Sequence, residues 1–590
     1  MKILTEVFSG LILTCFSAGA LASCSSTKKA ESLPKIDMTA WNYNEEDDVY
    51  YQLGIQYVAN PADTKYESLG LFVPGSYFDA KDNGDGTYTL TVNANSKVDD
   101  FSAADAPFVM PIQTPGYAAL EAPTAYTHDV KAYTDAGFIF IYAGARGRDQ
   151  GAPAGVTDFK AAIRYVRYNK DLLPGNTERL FTYGMSGGGA QSAILGASGD
   201  APEYEKYLKA LGAVMTESDA VMGSMDWCPI TNLNVADAAY EWELGSARTN
   251  LDEKTKAISE GLAKAFATYI NSLGLKDEDG NLLTLEQSDD GLYHAGSYYE
   301  YLKATTETSL NNFLSDTKWP YNANEQKAAL GQNMMLPEGW KPRGPQGLQA
   351  GGHQEGQNGM QAGRPQPGAE DLDGIQRGKS AASGNVDLSG TYKSAAEYIA
   401  ALNANEEWVI YDEESNTAKI TSVEAFMKNV KQLQKSLGAF DDLNTNQGEN
   451  TLFGLGDGKG LHFDSLMAEV LEGIDSELAQ AYKDDISKSD SLGTSMKERV
   501  NMYNPMYYLS PVYGGYRSAK VAKYWRIHAG IFQGDTAIST EMDYALALKN
   551  YGDLVESIDF TEVWGLYHNE AERSGTSTAN LIAWIKECLE

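Results

Sequence analysis

Leu180-Phe181-Thr182-Tyr183-Gly184-Met185-Ser186-Gly187-Gly188-Gly189-Ala190-Gln191-Ser192-Ala193-Ile194-Leu195 decides the architecture of this 590-residue chain. Leu180 to Tyr183 reads as a short buried strand, and the small residues from Gly189 to Leu195 read as a helix. Between them stands Gly184-x-Ser186-x-Gly188. In that context the serine occupies a sharp strand-to-helix turn whose glycines relieve crowding. Its hydroxyl then stands at a helix N-terminus, where developing negative charge is favoured. The stretch predicts a serine nucleophile.

Working outward, the chain alternates strand and helix signals. Gln52 to Val58 and Leu69 to Pro74 break and alternate as strands do, and Asp82-Asn83-Gly84-Asp85-Gly86 predicts a hairpin turn rather than a calcium loop, lacking the terminal Glu. Gly137 to Tyr142 shows no polar alternation and predicts a central parallel strand covered on both faces. Asp158 is placed to cap a helix whose apolar positions Phe159, Ala162, Ile163 and Val166 recur at helical spacing. Trp525 to His528 and Ile558 to Trp564 supply two late strands, with a helix from Glu541 to Asn550 between them and a last helix from Ser577 to Cys588. The rhythm predicts an α/β fold with a doubly wound, mostly parallel sheet.

Residues 48–245 and 511–590 carry these signals. The 246–510 segment that separates them is too long for an ordinary connection. Its stretches Thr255 to Tyr269, Ser394 to Leu402 and Ser422 to Leu437 read as helices, so it is expected to be a mainly helical lid inserted into the C-terminal half. Within it, residues 341–384 are dominated by Gly, Gln and Pro and predict a disordered loop.

Residues 1–24 combine Lys2, an apolar run from Phe8 to Leu21, and Leu21-Ala22-Ser23-Cys24. This is a secretory pattern, and its ending resembles a bacterial lipobox, with Cys24 as the lipidated first residue of the mature chain. No other stretch approaches the ~18 apolar residues a membrane span needs. The expectation is a protein exported across the cytoplasmic membrane and held at the cell envelope by lipid, with residues 25–47 as a polar tether. Cys228 and Cys588 are too few and too far apart to suggest a disulfide framework. A formal charge of −34 argues for solubility and against nucleic acid as a partner. No feature suggests a metal or an organic cofactor.

A serine nucleophile needs a base, usually a histidine held by an acid, here in the order Ser, acid, His. Of six histidines, His128 precedes the serine, and His294, His353 and His462 lie in the insertion. His528 ends a strand and reads as a packed residue. His568 follows the last strand, where the base belongs. In the loop after the preceding strand, Ile531-Phe532-Gln533-Gly534-Asp535-Thr536, Asp535 is the only carboxylate and becomes the candidate acid. One oxyanion donor is expected from the N–H of Gly187. The other comes from Gln113-Thr114-Pro115-Gly116-Tyr117; Pro115 has no N–H, so Thr114 or Gly116 must serve.

Gly144-Ala145-Arg146-Gly147-Arg148, Asp158 to Asn169, the elbow, Gly196-Ala197-Ser198-Gly199, and Cys228-Pro229-Ile230-Thr231-Asn232-Leu233 with Ala239-Tyr240-Glu241-Trp242 follow one another in an order that resembles the bacterial tannases. The resemblance covers about residues 50–590 and implies an α/β-hydrolase that cleaves gallate esters of phenolic type. It implies that Lys435 and Glu449 from the lid, with Asp535, hold the phenolic hydroxyls; a cation and two acceptors suit acidic phenols. One departure stands out. The family's loop carries two aspartates two residues apart, and Gln533 replaces the first, the one that completes the triad. Either Asp535 shifts to orient His568, or Asp226 or Asp237 does so, or the pair works without a charge. Two further readings follow: an esterase for hydroxycinnamoyl (feruloyl-type) or other acyl esters, and a catalytically impaired lipoprotein that binds phenolics.

Overall fold

The computed structural model describes residues 33–289, 291–325, 386–431 and 433–590. The signal segment with Cys24, the start of the tether and the Gly/Gln/Pro-rich loop lie outside the described residues. Nine strands form the main sheet: β1 (Asn42–Asn44), β2 (Val49–Gln56), β3 (Ser68–Pro74), β4 (Phe108–Ile112), β5 (Ile139–Ala143), β6 (Leu180–Met185), β7 (Gly223–Trp227), β8 (Tyr524–Gly530) and β9 (Ser557–Val563). They lie in the order β1-β2-β3-β5-β4-β6-β7-β8-β9. β1, β2, β3 and β5 pair antiparallel; every pairing from β5 to β9 is parallel.

The hydropathy pattern explains the layering. Every residue of β4, β5 and β7 is buried; β4 and β5 are continuous apolar runs, as strands between two helical layers require, while β7 also buries Ser224 and Asp226. Helices α1 (Ala154–Tyr168) and α2 (Gly187–Ala197) flank the centre and are almost wholly buried. In the C-terminal part, α3 (Ile538–Tyr551) joins β8 to β9 and α4 (Ser577–Leu589) closes the chain. The Asp82 region is the expected hairpin, with Phe78–Asp82 paired to Tyr88–Val92.

Three expectations are corrected. Asp158 does not cap α1, which starts four residues earlier; its carboxylate instead receives the Arg146 N–H at 2.8 Å and guanidinium at 2.7 Å, tying the exit of β5 to the helix. Residues 33–47 are no free tether. Leu33, Ile36 and Trp41 are buried, the Ile36 N–H donates to Asn169 Oδ1 at 2.9 Å, and β1 pairs with β2. Their spacing fits neither helix nor strand, so sequence pattern missed them. The helix expected from Ser422 to Leu437 stops at Asn429. Beyond it the N–H groups of Gln434 and Lys435 turn to the Tyr240 hydroxyl at 3.2 and 3.1 Å, and a helix cannot use them.

The inserted segment is otherwise mainly helical as read, with long helices Glu253–Leu273 and Ser297–Asp316. Sheet and insertion together form one compact unit, residues 33–590.

The elbow depends on close backbone approach. A Cβ on Gly188 would stand 2.0 Å from the Ile112 carbonyl oxygen of β4, a backbone atom that cannot step aside. Gly188→Ala is therefore expected to destabilise the fold by about 3 kcal/mol, read as a clear fall in the thermal unfolding midpoint. An unchanged midpoint would contradict this account of the turn.

Candidate active site

Ser186 sits between β6 and α2 with φ 61° and ψ −125°, a backbone conformation rarely adopted by residues other than glycine. Its neighbours impose it. The Ser186 N–H donates to the Trp227 carbonyl of β7 at 2.9 Å, while Gly188 presses on β4. Ser186 stands where an N-cap residue would, yet its hydroxyl makes no capping bond. That leaves Oγ for another partner.

The partner is His568: Nε2 lies 2.8 Å from Ser186 Oγ. His568 reaches this point because the chain segments leaving β8 and β9 stay zipped. Ile531 N donates to Val563 O at 3.1 Å and Phe532 N to Leu566 O at 2.9 Å. The same zipper sets Gln533 beside the ring, with Oε1 2.7 Å from His568 Nδ1.

The direction of this contact is fixed from behind. Gln533 Nε2 donates to Glu541 Oε1 at 3.0 Å, the same oxygen that accepts from Thr536 Oγ1 at 2.8 Å. The amide oxygen therefore faces the imidazole, Nδ1 carries the ring proton, and Nε2 is left as the acceptor for the serine proton. Burial, opposed by Asp535 and reinforced by Lys435, holds the His568 pKa below its ordinary 6.5. The ring is neutral at pH 7, as a general base must be.

The acid expected from sequence is not in hydrogen-bond contact. Asp535 Oδ2 is 3.9 Å from Nδ1, within ion-pair range only. Gln533 occupies the direct position, because it is one residue pair closer to the zippered exit of β8. The other two candidates are spent elsewhere. Asp226 is buried between Ser224 Oγ at 2.7 Å and Tyr544 OH at 3.0 Å, its pKa pushed up to about 7 by burial. Asp237 accepts the N–H groups of Phe440 and Asp441. His528 is packed as expected, 2.9 Å from Asp559 beside Arg526 and Glu572.

Gly187 opens α2, so its N–H has no carbonyl within the helix. A Cβ on Gly187 would stand 2.5 Å from Tyr117 N and 3.1 Å from Gly116 N. The Tyr117 N–H already donates to Thr114 O at 2.8 Å, and the Thr114 hydroxyl is bound to Gln191 at 2.7 Å. Of the loop candidates, the Gly116 N–H stands beside Gly187, and the Thr114 N lies 3.3 Å from where a Cβ on Gly188 would stand.

Of the two lid residues, Lys435 acts electrostatically on His568 and Glu449 on Tyr117. The Lys435 ammonium lies 3.8 Å from the Phe440 ring centroid, and its charge reaches His568. Tyr240 OH accepts the Lys435 N–H and donates to Gly534 O at 2.8 Å, coupling the lid turn to the loop that carries Gln533 and Asp535. Glu449 is buried in the short helix Gly448–Leu452, near Tyr117 of the oxyanion loop. Sequence reasoning missed Glu541 and Tyr240. Glu541 read as an ordinary first residue of a helix, and no local pattern marks a carboxylate that meets a glutamine eight positions earlier. Cys228 and Cys588 are both free thiols.

Comparison with known proteins bears on the fold. A family model described as BD-FAE matches residues 102–271, the segment holding the elbow. Curated proteins give no sequence match. Among solved structures, the chain is similar to a tannin acyl hydrolase from Lactobacillus plantarum at 24% identity and TM-score 0.61, covering 92% of this chain and 94% of that one. It is similar to a Fusobacterium nucleatum tannase at 24% identity and TM-score 0.64, covering 92% and 95%. A tannin acyl hydrolase in complex with ethyl gallate matches at 25% identity and TM-score 0.60, covering 92% and 94%. The fold is an α/β-hydrolase fold that resembles that of the bacterial tannases.

With His568 held below 6.5, hydrolysis of p-nitrophenyl acetate is expected to be abolished only at a pH below that value. A kcat/KM profile in which activity is already gone at pH 6.5 would contradict the neutral-ring assignment.

Proposed function

We propose, from the premise of an α/β-hydrolase fold with Ser186 on His568, that this protein is a carboxylic ester hydrolase that cleaves aromatic acyl esters, gallate esters above all, through an acyl-enzyme on Ser186. The 2.8 Å contact between Ser186 Oγ and His568 Nε2 carries the reading. Ser186 Oγ attacks the ester carbonyl while His568 Nε2 takes its proton. The oxyanion is met by the N–H groups of Gly187 and Gly116. The imidazolium returns the proton to the departing alcohol, and water attacks the acyl-enzyme by the same route. Gln533 keeps the proton on Nδ1 throughout.

Lys435, Glu449 and Asp535 bind the phenolic hydroxyls of the acyl ring. Their support is the resemblance, the closeness of Lys435 and Asp535 to His568, and the position of Glu449 at the oxyanion loop. A buried polar pocket rejects a ring without matching hydroxyls, since its own groups are then left unpaired. Residues 1–24 direct export, and lipid on Cys24 anchors the enzyme at the envelope, where a soluble phenolic ester reaches it without a further partner.

A Ser186→Ala control should lose both ester hydrolysis and labelling by a fluorophosphonate. Lys435→Ala and Glu449→Ala are expected to lower kcat/KM on methyl gallate by about 100-fold or more, with p-nitrophenyl acetate affected far less. Equal losses on both substrates would remove these residues from the acyl pocket. Faster turnover of methyl ferulate than methyl gallate would favour hydroxycinnamoyl esters instead. Cys24→Ser should move the protein from the membrane fraction to the soluble one; continued membrane association would contradict the lipid anchor.

A further inference from the structure

Behind Gln533 lies a set of buried charges that the reaction as described leaves unused. Glu541, in the first turn of α3, is fully buried and accepts from Gln533 Nε2 at 3.0 Å and from Thr536 Oγ1 at 2.8 Å, both on Oε1. Glu243 caps the same helix from outside, accepting the N–H groups of Ile538 at 2.9 Å and Ser539 at 3.1 Å. Lys431 stands 3.2 Å from Glu243, both side chains fully enclosed. Glu562 of β9 is buried as well, and neither of its oxygens accepts a hydrogen bond from a described residue. Three carboxyl groups thus share one lysine and one helix N-terminus.

Such a set cannot be fully ionised, because each uncompensated buried charge is costly. Glu562 carries the excess proton: burial, with Glu541 and Glu243 nearby, pushes its pKa far up. Glu541 is better placed to ionise. Two donors, the Lys431 charge and the dipole of α3 favour its anion, and burial leaves its pKa at about 7. Glu562 also stands at the wall of a cavity of about 190 Å³ whose rim includes the exposed Asp316, Lys318 and Arg573.

We propose that Glu541 is the charged member of the catalytic relay, a positioning residue that acts on His568 through Gln533. The inference rests on the serine-hydrolase reading above but not on the identity of the acyl group. No proton crosses the amide. When His568 Nε2 takes the Ser186 proton, Nδ1–H stays in place and donates to Gln533 Oε1. The Glu541 anion, bound to the other end of the amide, polarises that oxygen and fixes its orientation. In this way Glu541 supplies, one residue removed, part of the stabilisation that a carboxylate in direct contact gives an imidazolium. The groups facing it are Lys431, Glu243 and Glu562, with Asp535 and His568 beyond Gln533.

The test is kinetic, on the full chain with p-nitrophenyl acetate. Glu541→Gln keeps an acceptor for Gln533 but removes the charge, and is expected to lower kcat by about 10-fold or more with little change in KM. The wild-type kcat/KM profile should show a partial step near pH 7, from Glu541, before the full loss as His568 protonates; the variant should lack that step. Gln533→Glu keeps the side-chain length and sets a carboxylate oxygen where Oε1 stands on Nδ1, so in that background Glu541→Gln should cost no more than about 2-fold. An equal cost in both backgrounds, or an unchanged profile, overturns the relay. If Glu541→Gln does not fold, the wild-type profile decides alone, and a single acid ionisation sinks the idea. Failure of the wild type to label with fluorophosphonate would instead refute the serine-hydrolase reading itself.

Discussion

One hydrogen bond, between Ser186 and His568 across 382 residues of sequence, is what the rest of the molecule is arranged to hold. The serine end is set by backbone packing: φ at 61°, an N–H taken by β7, and Gly188 jammed against β4. The histidine end is set by the zipper between the exits of β8 and β9. Both ends lie at the carboxyl edge of a parallel sheet, which is where a doubly wound fold delivers side chains from separated segments to one point. The long insertion between β7 and β8 does not disturb that point, because β7 and β8 remain directly paired.

The polarity of the site runs in one direction. Glu541 Oε1, already accepting from Thr536, fixes the Gln533 amide, the amide fixes the ring proton on Nδ1, and the ring presents a bare nitrogen to the serine. A direct aspartate would impose the same tautomer and add its full charge. With Gln533, orientation and charge are supplied by two different residues, and the charge sits at the N-terminus of α3 where a helix dipole supports it. Tyr240 adds a second constraint by bonding both to Gly534 and to the Lys435 segment, so the lid turn cannot move without pulling on the loop that aligns the base.

Much of this was legible in the sequence. The parallel sheet announced itself through the apolar run Gly137 to Tyr142 and the alternation of strand and helix, and Ser186 through the glycines of a strand-to-helix turn. His568 followed from the scarcity of histidines after the late strands. What sequence could not give came from groups assembled by folding. Glu243, Lys431, Glu541 and Glu562 stand on four separate segments, and nothing near any of them in the chain signals burial. The acid was expected at Asp535, with an uncharged pair left open by Gln533; the structure sets the Gln533 amide on His568 and leaves Asp535 at 3.9 Å. Residues 33–47 misled for a different reason, since Leu33, Ile36 and Trp41 pack as isolated contacts without a period.

The most direct measurement is to mix the enzyme with p-nitrophenyl acetate, quench in acid within the first turnover, and map the acetyl group by peptide mass spectrometry. The account predicts that the acetyl group is found on the peptide containing Ser186, in an amount matching the first burst of nitrophenolate. Release of nitrophenolate with that peptide unmodified, or with the acetyl group on another residue, would contradict it.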